Sequence, residues 1–359
     1  MRLASLLSEA WRNVVSGTTR AGLIGTVFTA LLCALTLADA VTISALLRDA
    51  DEFQNKGAST VTVVAPGAIS GAACEALTQI DGVAASGAVR STQGTLSLTV
   101  LPRSPIALRD ATNGFVKVIG ASRFADGGVV VSNDVASSAG LREGEAVDTD
   151  RGQVAIRGVY DYPSDGRRPG FGWTALVPVA ATGDFDECWL TVWPWNDRVQ
   201  AFVKGLVIST GASASENPKI TQSQLNTQLG MRFQGAERYV ERATRYLPYV
   251  AFFLGMVVSA LAVRMRRLEL AARLHDGASR ADLLAQVLVE AAAWIVPATL
   301  IAWAAAILYP HLASTPAVQD FGTAQYAAAL AGLLGAFAGT LSATALVRER
   351  HLFAYFKDR

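Results

Sequence analysis

Two carboxylates, Asp39 and Glu290, fall inside long apolar runs of this sequence. A charge in such surroundings is costly, so an acid placed there serves a pathway or is held by a partner. Asp39 has two readings: it faces a water-filled cavity or substrate path, or it lies close to the outer interface. Other residues able to do chemistry are few. The three histidines, His275, His311 and His351, show no metal-ligand spacing. No G-x-S-x-G elbow, H-E-x-x-H helix or G-x-x-x-x-G-K-S/T phosphate loop occurs. The chain therefore offers no nucleophile turn, no zinc-protease pair and no backbone cradle for nucleotide phosphates. It is expected to be non-catalytic, with no metal or cofactor of its own. Cys33 sits in an apolar run as a small inert residue. Cys74 and Cys188 are an even pair in the polar middle of the chain. If that part is exported a disulfide is expected, the alternative being two unpaired buried thiols.

Four apolar runs must position these groups: Ala21–Leu47, Leu247–Val263, Leu283–Leu308 and Gln325–Val347. Each is near or above the roughly 20 residues that cross a bilayer as a helix. Backbone in lipid has to satisfy its own hydrogen bonds, so helices are the only reading. One span, a polar domain over residues 48–224, then three spans is the arrangement of an integral membrane protein. Hydrophobic residues make up 51% of the chain and charged ones 17%, the latter sitting mostly in the middle domain and the loops. A net charge of +1 argues against a nucleic-acid partner. Arginine far outnumbers lysine and alanine is abundant, a composition that suggests a high-GC bacterium.

Short loops set the orientation. Arg2, Arg12 and Arg20 precede the first span. Arg264, Arg266, Arg267, Arg273 and Arg280 follow the second, and Arg348, Arg350, Lys357 and Arg359 lie in the tail, while Pro310–Gly322 has no lysine or arginine. Both termini and the 264–282 loop are thus expected in the cytoplasm, with residues 48–246 extracytoplasmic and the chain in the cell membrane. Arg238, Arg242 and Arg245, just outside the second span, read as the solvated face of a helix continuing outward. An A-x-A signal-peptidase site at Ala38-Asp39-Ala40 is disfavoured because the apolar run continues to Leu47 and the segment 1–20 is long and amphipathic.

In the middle domain Ser59–Val64 alternates as a half-buried strand, Ser70–Gln79 is helical, and Val83–Arg90 and Thr95–Leu101 read as strands. Residues 128–179 are strand-rich, with a turn at 140–144. One module inserted into another follows, the β-rich insert spanning about 119–184. Leu225, Leu229, Phe233, Ala236, Val240, Ala243 and Leu247 recur at three or four residues, predicting a stalk helix over 225–246 running unbroken into the second span. Glu241 and Arg245 would pair on its other side. Residues 41–54 extend the first span beside it. Trp173, Trp189, Trp193 and Trp195 cluster in one stretch, either as core and a rigid turn or as a contact surface for a hydrophobic substrate or extracytoplasmic protein.

Between the second and third spans, Leu268, Ala271, Ala272 and Leu274 line one side of a short helix that Gly277 ends and Ser279 restarts. Such a piece lies on inner headgroups or presses into a groove of a partner. In the fourth span Gly335 and Gly339 form a G-x-x-x-G that permits close packing, by default within one bundle.

The residues 8–13 (Ser-Glu-Ala-Trp-Arg-Asn), 129–147 and 266–280 together resemble the permeases of the MacB-like, or type VII, ABC transporters, a family that includes FtsX-like members. The resemblance implies a fold of four transmembrane helices with a large extracytoplasmic α+β domain, porter-like plus sabre-like, between spans 1 and 2. It assigns 1–20 to a cytoplasmic amphipathic helix, 21–47, 247–263, 283–308 and 325–347 to the spans, and 348–359 to a cytoplasmic tail. It makes 264–282 a loop that docks on an ATPase, with Glu269, Leu270, Arg273, Leu274, Gly277, Ala278 and Ser279 as its coupling residues. Leu270 and Leu274 would be apolar anchors, and Glu269 and Arg273 would fix orientation. His275-Asp276 departs from the family pattern. Glu290 would make a structural hydrogen bond rather than touch substrate. The implied partners are two copies of a separate ATPase carrying ATP and Mg, a second permease copy (identical or related), and membrane lipid. The implied activity is mechanotransmission that extracts or exports a hydrophobic or peptide-like substrate at the outer face. The competing reading is an FtsX-like regulator of a cell-wall hydrolase.

Overall fold

The computed structural model describes residues 3–121, 127–195, 199, 220–316 and 324–349. Arg2, Arg350, His351, Lys357, Arg359 and most of 196–219 lie outside the described residues. The chain divides into two compact units, residues 1–49 with 234–359, and residues 50–233.

The first helix, α1 (Leu3–Val15), is amphipathic: Ala10 is buried while Leu7, Trp11 and Val15 are exposed. A turn carrying Gly17 and Arg20 at positive φ leads to α2 (Ala21–Asn55), an unbroken helix of 35 residues. Ile24, Phe28 and Leu32 recur at every fourth position and are buried, whereas Leu23, Val27 and Leu31 one step earlier are exposed. That division is the one expected of a helix with one face on protein and one on lipid.

Residues 50–233 form one mixed sheet. Its strands are β1 (Thr60–Ser70), β2 (Val83–Leu96), β3 (Ile106–Ala111), β4 (Val129–Ser132), β5 (Ala146–Thr149), β6 (Gly152–Tyr160), β7 (Thr174–Pro178), β8 (Asp184–Val192) and β9 (Thr221–Gln224). The spatial order is β5-β6-β4-β7-β3-β2-β8-β1-β9. Among the described residues, short helices α3 (Gly71–Ala76), α4 (Asn113–Val118) and α5 (Asn133–Ala139) stand between strands. The β-rich insert therefore occupies one end of the sheet, sharing it with the rest through the parallel pairing of β3 with β7. Thr95–Leu101 is not a separate strand, a correction to the sequence reading. β2 continues through Leu96 after a register shift between Ser91 and Thr95, where Gly94 adopts φ +156 and lets the strand bend. Helix α4 lies very close to β2: a Cβ at Gly87 would sit 1.8 Å from the Phe115 nitrogen, so only glycine fits. Phe115, Phe171 and Trp189 stack beside it, with ring centroids 4.7–5.8 Å apart.

The connector that follows overturns the stalk reading. Residues 225–234 are not helical. Leu225 donates its N–H to the Thr60 carbonyl at 2.8 Å and is buried in the sheet unit. The Asn226 side chain bonds the Lys56 and Asp165 carbonyls and accepts from the Gln228 N–H, a local pattern that competes with helix. Gly230 then turns at φ +86. Phe233 packs against Phe53 and Trp193, away from the helical stripe it was assigned to. Only α6 (Gly235–Glu241) is helical; Arg242 breaks it at ψ 133, and a 3-10 turn over Ala243–Tyr246 follows. That break separates Glu241 from Arg245, and Arg245 instead lies on the Tyr246 ring.

The described residues after the 3-10 turn form α7 (Leu247–Met265), α8 (Arg267–His275), α9 (Arg280–Leu312) and α10 (Ala324–Leu346). Together with α2, the helices α7, α9 and α10 are long and apolar enough to cross a membrane. Pro248 sits in the first turn of α7, where its missing N–H costs nothing. Along α10, Gly335 and Gly339 touch backbone of α7: added Cβ atoms would fall 1.9 Å from the Phe252 oxygen and 2.2 Å from the Met256 oxygen. Phe28 of α2 meets Trp294 of α9 edge-on at 5.4 Å.

Candidate functional site

The loop between α7 and α9 is built from its caps inward. α8 ends at Asp276, and Gly277 follows at φ +92, a conformation that lets the last carbonyls find partners. The Ser279 hydroxyl accepts the Asp282 N–H at 3.1 Å and starts α9. Both caps satisfy backbone groups that a helix end otherwise leaves open.

Beneath α8 lies a network that joins α1, α8 and α9 through the residue that precedes α8. Arg266, the single residue between α7 and α8, donates to both oxygens of Glu269, at 3.1 and 2.9 Å. Its other terminal nitrogen binds Glu290 on α9, whose side chain is 3% exposed. Glu290 also accepts from Asn13 of α1 at 2.6 Å and from Gln286 at 3.1 Å. Arg273 bridges to Glu9 of α1 and to Gln286, each at 2.8 Å. A buried carboxylate that is paired and accepts further hydrogen bonds is tolerable; the same group alone is not. Burial, the largest influence on Glu269, would raise its pKa. The hydrogen bonds from Arg266 and the charges of Arg266 and Arg273 outweigh it, so the carboxyl stays below its ordinary value. For Arg266 burial again pulls the other way, toward a lower value, and the bonds to Glu269 and Glu290 hold it above.

Of the residues singled out in this loop, Glu269 and Arg273 are therefore turned onto the protein's own frame. Leu270 is 2% exposed, packed with Val263, Leu283, Val287 and Val347, so it is an internal anchor and not a surface one. Leu274 rests half-buried on the same cluster. The apolar stripe of an amphipathic segment faces whatever apolar surface is at hand, and here the bundle supplies it. What the loop presents outward is the edge at Asp276, Gly277, Ala278 and Ser279. Asp276 to Ala278, with Glu9, Arg273 and Asp282, border an open recess of about 340 Å³. In the sequence Glu9 and Asn13 stand out only as part of the 8–13 segment, with no role of their own, and Gln286 not at all. A polar residue one turn before an intramembrane acid, as Gln286 is to Glu290, is the one signal that points to the network.

At the other end of the bundle Asp39 is 6% exposed and pairs with Arg242 at 3.2 Å. It is held by a partner, the second of the two alternatives its position allowed for an acid in an apolar run. Arg242 is itself nearly covered and stacks over the Tyr239 ring at 3.9 Å, which corrects its reading as a solvated residue. Arg238 reaches Asp49 at 3.4 Å.

In the sheet unit Cys74 of α3 and Cys188 of β8 are joined as a disulfide. Cys33 is free and half-buried. Among the tryptophans, Trp189 is fully buried and donates to Glu187 at 2.8 Å. Trp173 and Trp195 each pack on a different buried cluster, and Trp193 meets Phe53 and Phe233. They serve the core in separate places and do not assemble one exposed contact surface. Burial pushes the Tyr162 phenol up to about 12, so it does not act as an acid near neutral pH.

No family model and no curated protein matches this chain. Among solved structures, the periplasmic region of MacB from Actinobacillus actinomycetemcomitans is similar over 55% of this chain and 99% of that one. The TM-score is 0.34 and the sequence identity 10%.

Proposed function

We propose that the chain is the permease subunit of a MacB-like ABC transporter, a membrane component driven by a separate ATPase that carries the ATP and Mg. The observation that carries this reading is the short helix α8, ended by the Asp276–Gly277 cap and held between two spanning helices by the Arg266–Glu290–Asn13 network. A helix so fixed has little freedom of its own; a force applied at its exposed edge passes to α1, α7 and α9. That is what a coupling element needs and what a loop resting on lipid does not. In this reading the ATPase grips the edge at Asp276–Ser279, its projecting group entering the recess bordered by Glu9 and Arg273. Movement of the loop is then conveyed along α2 and α7 to the outer domain, which expels or extracts a hydrophobic or peptide-like substrate. A second permease copy completes the assembly.

The test is reconstitution with an ATPase encoded beside this gene. Ala278→Asp should abolish copurification or permease-stimulated ATP turnover while leaving the chain folded. Interface anchors commonly contribute about 2 kcal/mol or more, a loss of roughly thirtyfold in affinity. Leu270→Asp serves as the contrast, because it should unfold the loop end itself. Full copurification and turnover with Ala278→Asp would remove the coupling role. Orientation is checked separately: a cysteine at Asp148 should label from outside whole cells and one at Ser279 should not.

A further inference from the structure

A second, larger recess lies on the same end of the helical unit, beside the turn that joins α1 to α2. Its volume is about 650 Å³, within the range of small-ligand sites, and its rim includes Thr18, Arg20, Ile24, Arg264, Met265 and Arg267. Four arginines line it against one carboxylate, Glu269, and that carboxylate is already taken by Arg266. The guanidinium groups of Arg20 and Arg264 meet no carboxylate among the described residues. At the opposite end of the bundle Arg242 is held by Asp39, Arg238 by Asp49, and Arg245 by the Val240 carbonyl and the Tyr246 ring. Two arginines without a carboxylate partner among the described residues, Arg20 and Arg264, thus line one recess.

Position identifies what would neutralise it. Arg20 immediately precedes α2 and Arg264 stands in the last turn of α7, so both mark the level at which spanning helices leave the hydrocarbon. The exposed stripe Leu7, Trp11 and Val15 of α1 is followed along the chain by Leu23, Val27 and Leu31 of α2. The turn bearing Thr18 and Arg20 therefore joins two lipid-facing stripes, with Trp11 the kind of side chain that settles among headgroups. Ile24 and Met265 give the recess an apolar side and the arginines give it a cationic one. We propose that this recess binds the phosphate-bearing headgroup of an anionic membrane lipid, with Arg20 and Arg264 as its clamp and the acyl chains running beside Ile24. Arginine suits the task because its planar fork donates two hydrogen bonds to one phosphate. The site would seat a lipid against α8's own frame, since Arg266 and Glu269 form its inner wall.

Native mass spectrometry of the full chain, released from detergent micelles, tests this with phosphatidylglycerol, phosphatidylcholine and inorganic phosphate as probes. One phosphatidylglycerol should remain bound under activation that strips phosphatidylcholine. Each basic residue near a lipid surface contributes a factor of about five, so R20A/R264A should lose about 25-fold in phosphatidylglycerol affinity. Arg238→Ala, at the far end, should lose nothing, and R20K/R264K should retain most of the binding. Thr18→Glu, which places a negative charge on the rim without removing an arginine, should weaken binding as well and guards against misfolding of the double variant. Equal retention of both lipids, or unchanged binding in R20A/R264A and Thr18→Glu, would overturn the proposal. Displacement of the lipid by inorganic phosphate would overturn it in favour of a free-anion pocket. Lipid retained while a copurifying protein is lost would assign the recess to that protein.

Discussion

The two ends of the helical bundle solve the same problem, a carboxylate buried among apolar helices, in different ways. At the loop end Glu290 is shared among Arg266, Asn13 and Gln286, and the network runs on through Glu269, Arg273 and Glu9 to join α1, α8 and α9. At the connector end Asp39 has one charged partner, Arg242, and that partner stands where the backbone leaves the helix. The many-membered arrangement fixes a loop at several points. The single pair pins a broken segment at one, and leaves α6 on one side of it and the 3-10 turn on the other. The comparison teaches that equal burial of an acid does not mean equal stiffness around it; the number of elements that share the charge decides that.

Removing Glu290 should break the comparison most severely. Glu290→Ala leaves Arg266 without its buried partner and is expected to cost about 3–5 kcal/mol. Thermal unfolding in detergent reads the loss, and a fall of the midpoint no larger than for an exposed substitution would contradict the network. Opening the Cys74–Cys188 bridge is the regional control. It should cost roughly 2–4 kcal/mol, confined to the sheet unit, and proteolysis after reduction should cut there first while both ends of the bundle stay protected. Asp39→Ala should cost less than Glu290→Ala, about 1–3 kcal/mol, because Arg242 keeps its contacts with the Tyr239 ring and carbonyl. Faster hydrogen exchange limited to residues 235–246 is the expected signature; spread into α9 would mean the two ends are not separable.

The smallest effect is on pH. Glu269 has its folded pKa lowered, so its contribution is complete above its unfolded value, about 4.3, and is lost as pH falls through the folded one. Amide exchange in α8 should therefore rise on acidification below about pH 4. Glu269→Gln should remove that dependence and show at neutral pH the faster α8 exchange that the unsubstituted chain shows only in acid.

The spans were legible because roughly 20 apolar residues suffice to identify one, whatever they pack against. The end of α8 and the start of α9 were legible for a similar reason, since Gly277 and Ser279 act on their own neighbours. The stalk was not, because Leu225 and Phe233 fit a helical stripe equally well while belonging to the sheet unit, and Asn226 supplies a competing turn. Leu270 was assigned outward for want of any local sign of which apolar surface it would meet. The network itself joins residues up to 277 positions apart, and no spacing rule reaches that far. The disulfide was legible from an even count and an expected exported setting, whereas the order of the strands, with β4 to β7 at one end, was not.

The backbone seam between α7 and α10 has a consequence for how this sequence can drift. Where Gly335 and Gly339 press on carbonyl oxygens there is no side chain to re-shape, so even alanine would drive an atom into main chain. Their neighbours Leu330, Leu334 and Leu341, half exposed on the same helix, meet no such wall. Random substitution of α10 followed by selection for insertion should thus return glycine at 335 and 339 and almost any apolar residue at 330, 334 and 341. Two kinds of freedom, one nearly nil and the other wide, alternate within single turns of one helix.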